Sequence, residues 1–103
     1  MLFTQIDIRT RSEGPPAVVV SGEVDLACAA ELRAAIEQVG ETEPAVLVID
    51  LSDVSFVDSS GLGAIAGGLR AQRRHGGELK VAGAAPHVRR VFEIAGLGQL
   101  LQD

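Results

Sequence analysis

The chain has 103 residues, a length that supports one domain built around a single modest core. Hydrophobic residues make up 47%, yet there is no Trp or Tyr and only three Phe, so that core must be aliphatic. A net charge of −5 argues against a broad basic face for nucleic acid, and one cysteine excludes an intramolecular disulfide.

The N-terminal stretch "MLFTQIDIRTRSEG" carries charge from Asp7 onward and has no apolar run of signal-peptide length. No segment approaches the roughly 20 apolar residues of a membrane span. The expectation is a cytoplasmic protein with residues 1–103 as one domain. Phe3 to Arg9 alternates loosely, Ile6 and Ile8 against Asp7 and Arg9, as a strand exposed on one side does. Gly14, Pro15 and Pro16 then interrupt regular structure. "AVVVSG" is a continuous apolar run of the kind buried on both faces, close enough to the first strand for an antiparallel hairpin.

From Ala27 to Val39, Cys28, Leu32, Ile36 and Val39 recur at helical spacing, and Gly40 is the expected stop. "AVLVID" predicts a second buried strand, followed by a long loop, "DLSDVSFVDSSGLG". Leu62, Ile65, Ala66 and Leu69 predict a helix that ends at Gly76 and Gly77. "ELKVAG" is a short alternating strand. Pro86 opens a last helix carrying Val88, Val91, Phe92 and Ala95, and Leu97, Leu100 and Leu101 are left to cover the core. The order β-β-α-β-α-β-α implies an α/β domain: a mixed, mostly parallel sheet of four to five strands packed with helices.

In such sheets, sites gather beyond the carboxyl ends of the strands. Two loops leave such ends, "GEVDLA" with Asp25 and the segment with Asp58, Ser59 and Ser60. If their strands are neighbours, Asp25 and Ser59 share one end of the molecule. With Asp58 or Ser59 as N-cap, the amides of Ser60, Gly61 and Leu62 are expected to face solvent at the positive end of a helix dipole. Gly63, Gly67 and Gly68 lie inside the helix, where each costs about 1 kcal/mol relative to Ala. Gly63 and Gly67 share a face, open either to the chain's own sheet or to a partner's backbone. A phosphoryl group on Ser59 would add about −1.5 to −2 charge and three acceptor oxygens. A helix N-terminus tolerates that charge, whereas an apolar or acidic partner pressed on the spot does not. A loss of roughly 4 kcal/mol weakens binding about a thousandfold. Residue chemistry alone leaves Ser59 and Ser60 both open as acceptors.

The segment "VIDLSDVSFVDSSGLGAIAG" resembles the signature of the STAS-domain family, in its anti-sigma factor antagonist branch, and the match extends through "VVVSGEVDLACAAELRAAI" and "GGELKVAGAAPHVRRVFEIAGL". The resemblance implies a non-enzymatic protein that sequesters an anti-sigma factor and frees a sigma factor for transcription. In the family, that anti-sigma factor is itself an ATP-dependent serine kinase that phosphorylates the antagonist and ends the binding. A serine phosphatase restores it. The resemblance places the acceptor at Ser59 and a partner-facing carboxylate at Asp25. The expected contact region is Asp25, Asp58, Ser59, Ser60, Gly61 and Gly63, with no cofactor and no metal. The alternative is a non-switching STAS module in a signalling scaffold or lipid-transport complex, with the hydroxyl only a helix cap.

Other chemistry has little support. "DSSGLG" is not a G-x-S-x-G elbow and no catalytic third residue accompanies it. His75 and His87 read as solvated surface residues, and one Cys with two distant His lacks metal-ligand spacing. The glycine-rich turn lacks the Gly-Lys-Ser/Thr ending of a P-loop, so a nucleotide is the weaker reading. The run Arg70, Arg73, Arg74 and His75 reads as cations complementing a helix C-terminus, with a partner patch as the alternative. Cys28 reads as a small core residue.

Overall fold

A computed structural model describes residues 7–11 and 13–102 of the chain. Its elements run β1 (Asp7–Arg11), β2 (Ala17–Val24), α1 (Leu26–Gly40), β3 (Val46–Val57), α2 (Ser59–Arg74), β4 (Glu78–Ala82) and α3 (Pro86–Ile94), with a 3-10 turn at Gly98–Leu100. The expected order is therefore present. Four strands form one sheet in the order β1-β2-β3-β4, the lower of the two expected counts, and a single bridge joins Val81 to Leu101 beyond β4. The first pair is antiparallel, the others parallel. Of the first predicted strand, Phe3–Ile6 lie outside the described residues, and β1 continues two residues past Arg9.

The sheet has a core face and a polar face because strand side chains alternate. Val18, Val20, Leu47, Ile49, Leu79 and Val81 share one apolar cluster with Cys28, Leu32 and Ile36 of α1, Leu62, Ile65 and Leu69 of α2, and Val88 and Phe92 of α3. The other parity carries Arg9, Arg11, Asp50 and Lys80, with Arg11 paired to Asp50 at 3.6 Å. Leu100 is buried, and Leu97 and Leu101 pack against the cluster as expected. Ala95, expected on the apolar stripe of the last helix, is exposed because α3 ends at Ile94.

Two loop expectations need correction. β2 runs on through Ser21–Val24, and β3 continues through Leu51–Val57 as a 12-residue strand. Polar residues there suggested a loop, yet the ladder persists: Ser21 pairs with Asp53, Gly22 with Val54, Glu23 with Phe56 and Val24 with Val57. Register shifts after Val19 and after Gly22 give β3 two extra residues against β2. Such bulges break the alternation that periodicity reading relies on. Leu51, Val54 and Val57 remain buried while Ser52, Asp53, Ser55 and Phe56 are exposed.

Two glycines set the position of α2. A Cβ on Gly68 would stand 2.6 Å from Ile36 Cγ2, so α1 reaches α2 only because that atom is absent. At Gly61 the same atom would stand 2.6 Å from Val24 Cγ1, which lets the first turn of α2 sit directly on the end of β2.

Candidate functional site

Because β2 and β3 are parallel neighbours, both chains leave the sheet at the same edge and both enter helices there. Asp25 follows Val24 and caps α1; Asp58 follows Val57 and caps α2. The Asp58 amide donates to the Val24 carbonyl at 3.0 Å, tying the two exits together. The sequence expectation that Asp25 and Ser59 share one end of the molecule holds.

Each cap is made differently. Asp25 Oδ1 accepts from the Ala27 amide at 3.0 Å, and Cys28 Sγ accepts from the Asp25 amide at 3.3 Å. Cys28 thus occupies the place usually held by Glu or Gln in a capping box. It is buried, as expected, and that burial pushes its thiol pKa above the usual value despite a lowering bond to the Asp25 backbone. At α2, Asp58 Oδ1 accepts from two amides, Ser60 at 2.9 Å and Gly61 at 3.1 Å, while the Leu62 amide bonds the Asp58 carbonyl at 3.0 Å.

That second cap corrects the expectation of solvent-facing amides at Ser60, Gly61 and Leu62. The Asp58 carboxylate has already taken the Ser60 and Gly61 amides and its backbone carbonyl the Leu62 amide, so the turn is not a ready-made phosphate cradle. What it offers is a hydroxyl. Ser59, the first residue of α2, is exposed, and its side chain makes no hydrogen bond to any described residue. Ser60, Asp58 and Asp25 are half-buried. The Ser60 hydroxyl makes no hydrogen bond to a described residue either, so it is exposure alone that separates the two serines that residue chemistry could not.

The glycines divide as well. Gly61 is buried against Val24 and Val57, whereas Gly63 is exposed with nothing within 4 Å of a built Cβ. Gly67 would meet only Arg70 Nη2, at 3.8 Å, so the chain's own sheet does not use the Gly63–Gly67 face. Two apolar side chains that sequence reading missed border the site. Leu26 follows Asp25 with 76% exposure, and Phe56 lies two residues before Asp58 with 46%. Leu26 falls off the Cys28–Leu32–Ile36 stripe, which was the signal available for it. Phe56 was masked by the register shift opposite Glu23. Glu23, Asp25 and Asp58 make the surrounding edge acidic.

Neither histidine is merely solvated. His87 Nε2 lies 2.6 Å from the Ser55 carbonyl and so ties α3 to β3, and His75 Nε2 lies 3.1 Å from the Pro44 carbonyl. No group of three or more His, Cys, Asp or Glu among the described residues could hold a metal, and no described helix is long and apolar enough to cross a membrane.

Comparison with known proteins agrees with this architecture. The family profile described as "Mlab, STAS domain" matches residues 8–102. An anti-sigma-B factor antagonist of Listeria monocytogenes is 35% identical over 94% of this chain and 85% of its own length. The crystal structure of an anti-sigma factor antagonist from Mycobacterium paratuberculosis superposes with a TM-score of 0.83 at 33% identity, covering 94% of this chain and 83% of that one. The anti-sigma factor antagonist SpoIIAA in its unphosphorylated form gives 0.79 at 27% identity, over 94% and 87% of the two chains. Its phosphorylated form, described as a Bacillus cell fate determinant, gives 0.72 at 26%, over 94% and 90%. The chain belongs to the STAS-domain family.

Proposed function

We propose that this chain is an anti-sigma factor antagonist, a binding protein rather than an enzyme, whose docking is switched by phosphorylation of Ser59. The unmodified form binds an anti-sigma factor that is a serine kinase and so releases a sigma factor in the cytoplasm. Phosphorylation ends the binding, and a serine phosphatase restores it. Antagonist function is supported by the relatives named above, and the switch by SpoIIAA having been solved in both unphosphorylated and phosphorylated forms.

The observation that carries the reading is the exposed, unbonded Ser59 hydroxyl at the head of α2, set beside Asp25 at one edge of the sheet. Asp25, Asp58, Ser59, Ser60 and Gly63 face the partner in this reading, with Leu26 and Phe56 as its apolar anchors. Gly61 contributes by seating the turn. A phosphate on Ser59 adds charge to an edge already carrying Glu23, Asp25 and Asp58. Any partner surface matched to the unmodified face must then bury a dianion or withdraw. The helix beneath keeps its cap, because Asp58 rather than Ser59 holds the amides.

Intact-mass analysis of protein isolated from its own cells tests the switch. A gain of one phosphate mapped to Ser59, absent from the Ser59→Ala variant, is expected. An unmodified chain that stays in a stable complex under all growth conditions would instead mark a non-switching module. With the co-purified partner in hand, Ser59→Asp should bind at least a hundredfold more weakly than the parent while melting within about 3 °C of it.

A further inference from the structure

The sheet has two edges, and the chain closes one of them. Beyond β4, Leu101 bridges Val81 in parallel and the Gln102 amide donates to the Val81 carbonyl at 2.8 Å. The other edge is β1, which pairs with β2 on one side and with no described strand on the other. The helices connect β2 to β3, β3 to β4 and β4 to the Leu101 bridge, so none crosses the outer side of β1. Such an edge keeps a row of amides and carbonyls without strand partners and is a template for another strand.

The side chains of β1 decide which strand fits. Ile8 is half-buried against the core cluster, whereas Asp7, Arg9, Thr10 and Arg11 are exposed. Asp7 and Arg9 stand 3.5 Å apart on the polar face, with side chains 64% and 70% exposed. Charges so placed guard an edge, because an unrelated strand sets apolar or like-charged groups against them. A second copy running antiparallel, with its two-fold axis at Ile8, does the reverse. Asp7 then opposes Arg9 of the second copy, Arg9 opposes its Asp7, and Ile8 meets Ile8 on the core face. Thr10 and Arg11 fall opposite positions 6 and 5, where the sequence has Ile and Gln. Pairing about Arg9 would set that cation against itself, so charge selects the register about Ile8.

We propose that two copies of this chain associate through their β1 edges, joining two four-stranded sheets into one. The two-fold axis stands perpendicular to the sheet, so the helices of both copies lie on one face and the Ile8 pair extends the apolar layer between them. The contact is isologous and closed: both outer edges of the joined sheet are the ones that the Leu101 bridge already covers. A seam of one short strand pair is small, below about 1,200 Å², so the association is weak and depends on concentration. It uses no residue of the Ser59 edge and does not depend on the function proposed there.

Sedimentation equilibrium on the full chain, with a charge swap across the seam, tests this. The weight-average mass should rise from 10.7 kDa toward twice that value between about 10 µM and about 1 mM. Over the same range, 15N NMR should show amide shifts centred on Asp7–Arg11. Asp7→Arg and Arg9→Asp, both at exposed positions, each set like charges across the seam and should weaken self-association roughly tenfold or more. Mixed one to one, the two variants should associate with each other, since two arginines of one chain then face two aspartates of the other. The double variant Asp7→Arg/Arg9→Asp should regain the self-association of the parent. A mass that stays at the monomer value throughout would overturn the proposal, as would shifts centred on the Ser59 edge or on the C-terminal end of α2. So would single variants that associate as the parent does, or a mixture of the two that stays monomeric.

Discussion

Replacing Asp58 by Ala tests whether the Ser59 turn is held by the residue before it. Oδ1 of Asp58 is the acceptor for two amides, at 2.9 and 3.1 Å, and one of them belongs to the buried Gly61. Loss of an N-cap carboxylate typically costs about 1 kcal/mol, and a buried donor left unpaired adds about 1–3 kcal/mol. Water can reach the half-buried Ser60 amide more readily than that of Gly61, so the lower part of the combined range applies, about 2 kcal/mol. For a domain of this size each kcal/mol moves the melting temperature by roughly 4–8 °C, which predicts a fall of about 8–16 °C. Asp58→Asn keeps an oxygen in place and should recover most of the loss. Differential scanning calorimetry at pH 7, with urea unfolding to verify an unchanged m-value, makes the measurement. If Asp58→Ala melts within about 2 °C of the parent, or Asp58→Asn falls as far as Asp58→Ala, the cap does not hold the turn.

Further outcomes follow from the same geometry. Gly61→Ala drives a Cβ to 2.6 Å from the fully buried Val24 and should destabilise the domain by about 1–3 kcal/mol, whereas Gly63→Ala meets nothing and should stabilise it by about 0.5–1 kcal/mol. Opposite signs in parallel melts check the pair, and Gly63→Ala should also weaken partner binding if a backbone packs there. At Asp50, burial would raise the carboxyl pKa, but bonds from the Ser52 hydroxyl and amide and the Arg11 charge outweigh it and hold the pKa below the usual value of 3.8. Since the folded-state value is the lower one, its stabilisation is complete above the unfolded-chain value and is lost as pH falls through the folded one. Asp50→Asn should therefore narrow its stability deficit relative to the parent below about pH 4, and a constant deficit from pH 7 to pH 2.5 would contradict this. Cys28, buried and with a raised pKa, should react with a disulfide reagent at pH 8 at least a hundredfold more slowly in the native protein than in urea, and equal rates would show that the first turn of α1 opens freely.

Much of the fold was legible because local chemistry and tertiary packing agree. The stripe Cys28–Leu32–Ile36, the run at Val46–Ile49 and the Pro86 start each require burial in one direction only, and the periodicity states that direction. The DSSG turn was legible as a helix entry for the same reason, since an aspartate before small residues has few better uses. Its setting in the longer segment carried the family resemblance. Where the two levels diverge, the sequence misleads. Ser52, Asp53 and Ser55 look like loop residues, yet pairing with β2 carries β3 to Val57 across two register shifts.

The sequence by itself determined the order of elements, the aliphatic core and the pairing of a carboxylate with a serine at the mouth of a helix. These are properties of nearest neighbours and of helical or strand period. Tertiary structure decided which serine is the more exposed, which glycine is spent on packing and which amides are already taken. It also decided that Gln72, unremarkable on a polar stretch of sequence, is buried with one oxygen unmatched. Each of those depends on atoms that come from other strands and helices, Val24 against Gly61, Ile36 against Gly68, Pro44 and Glu78 against Gln72, and no local pattern records where the chain will bring them.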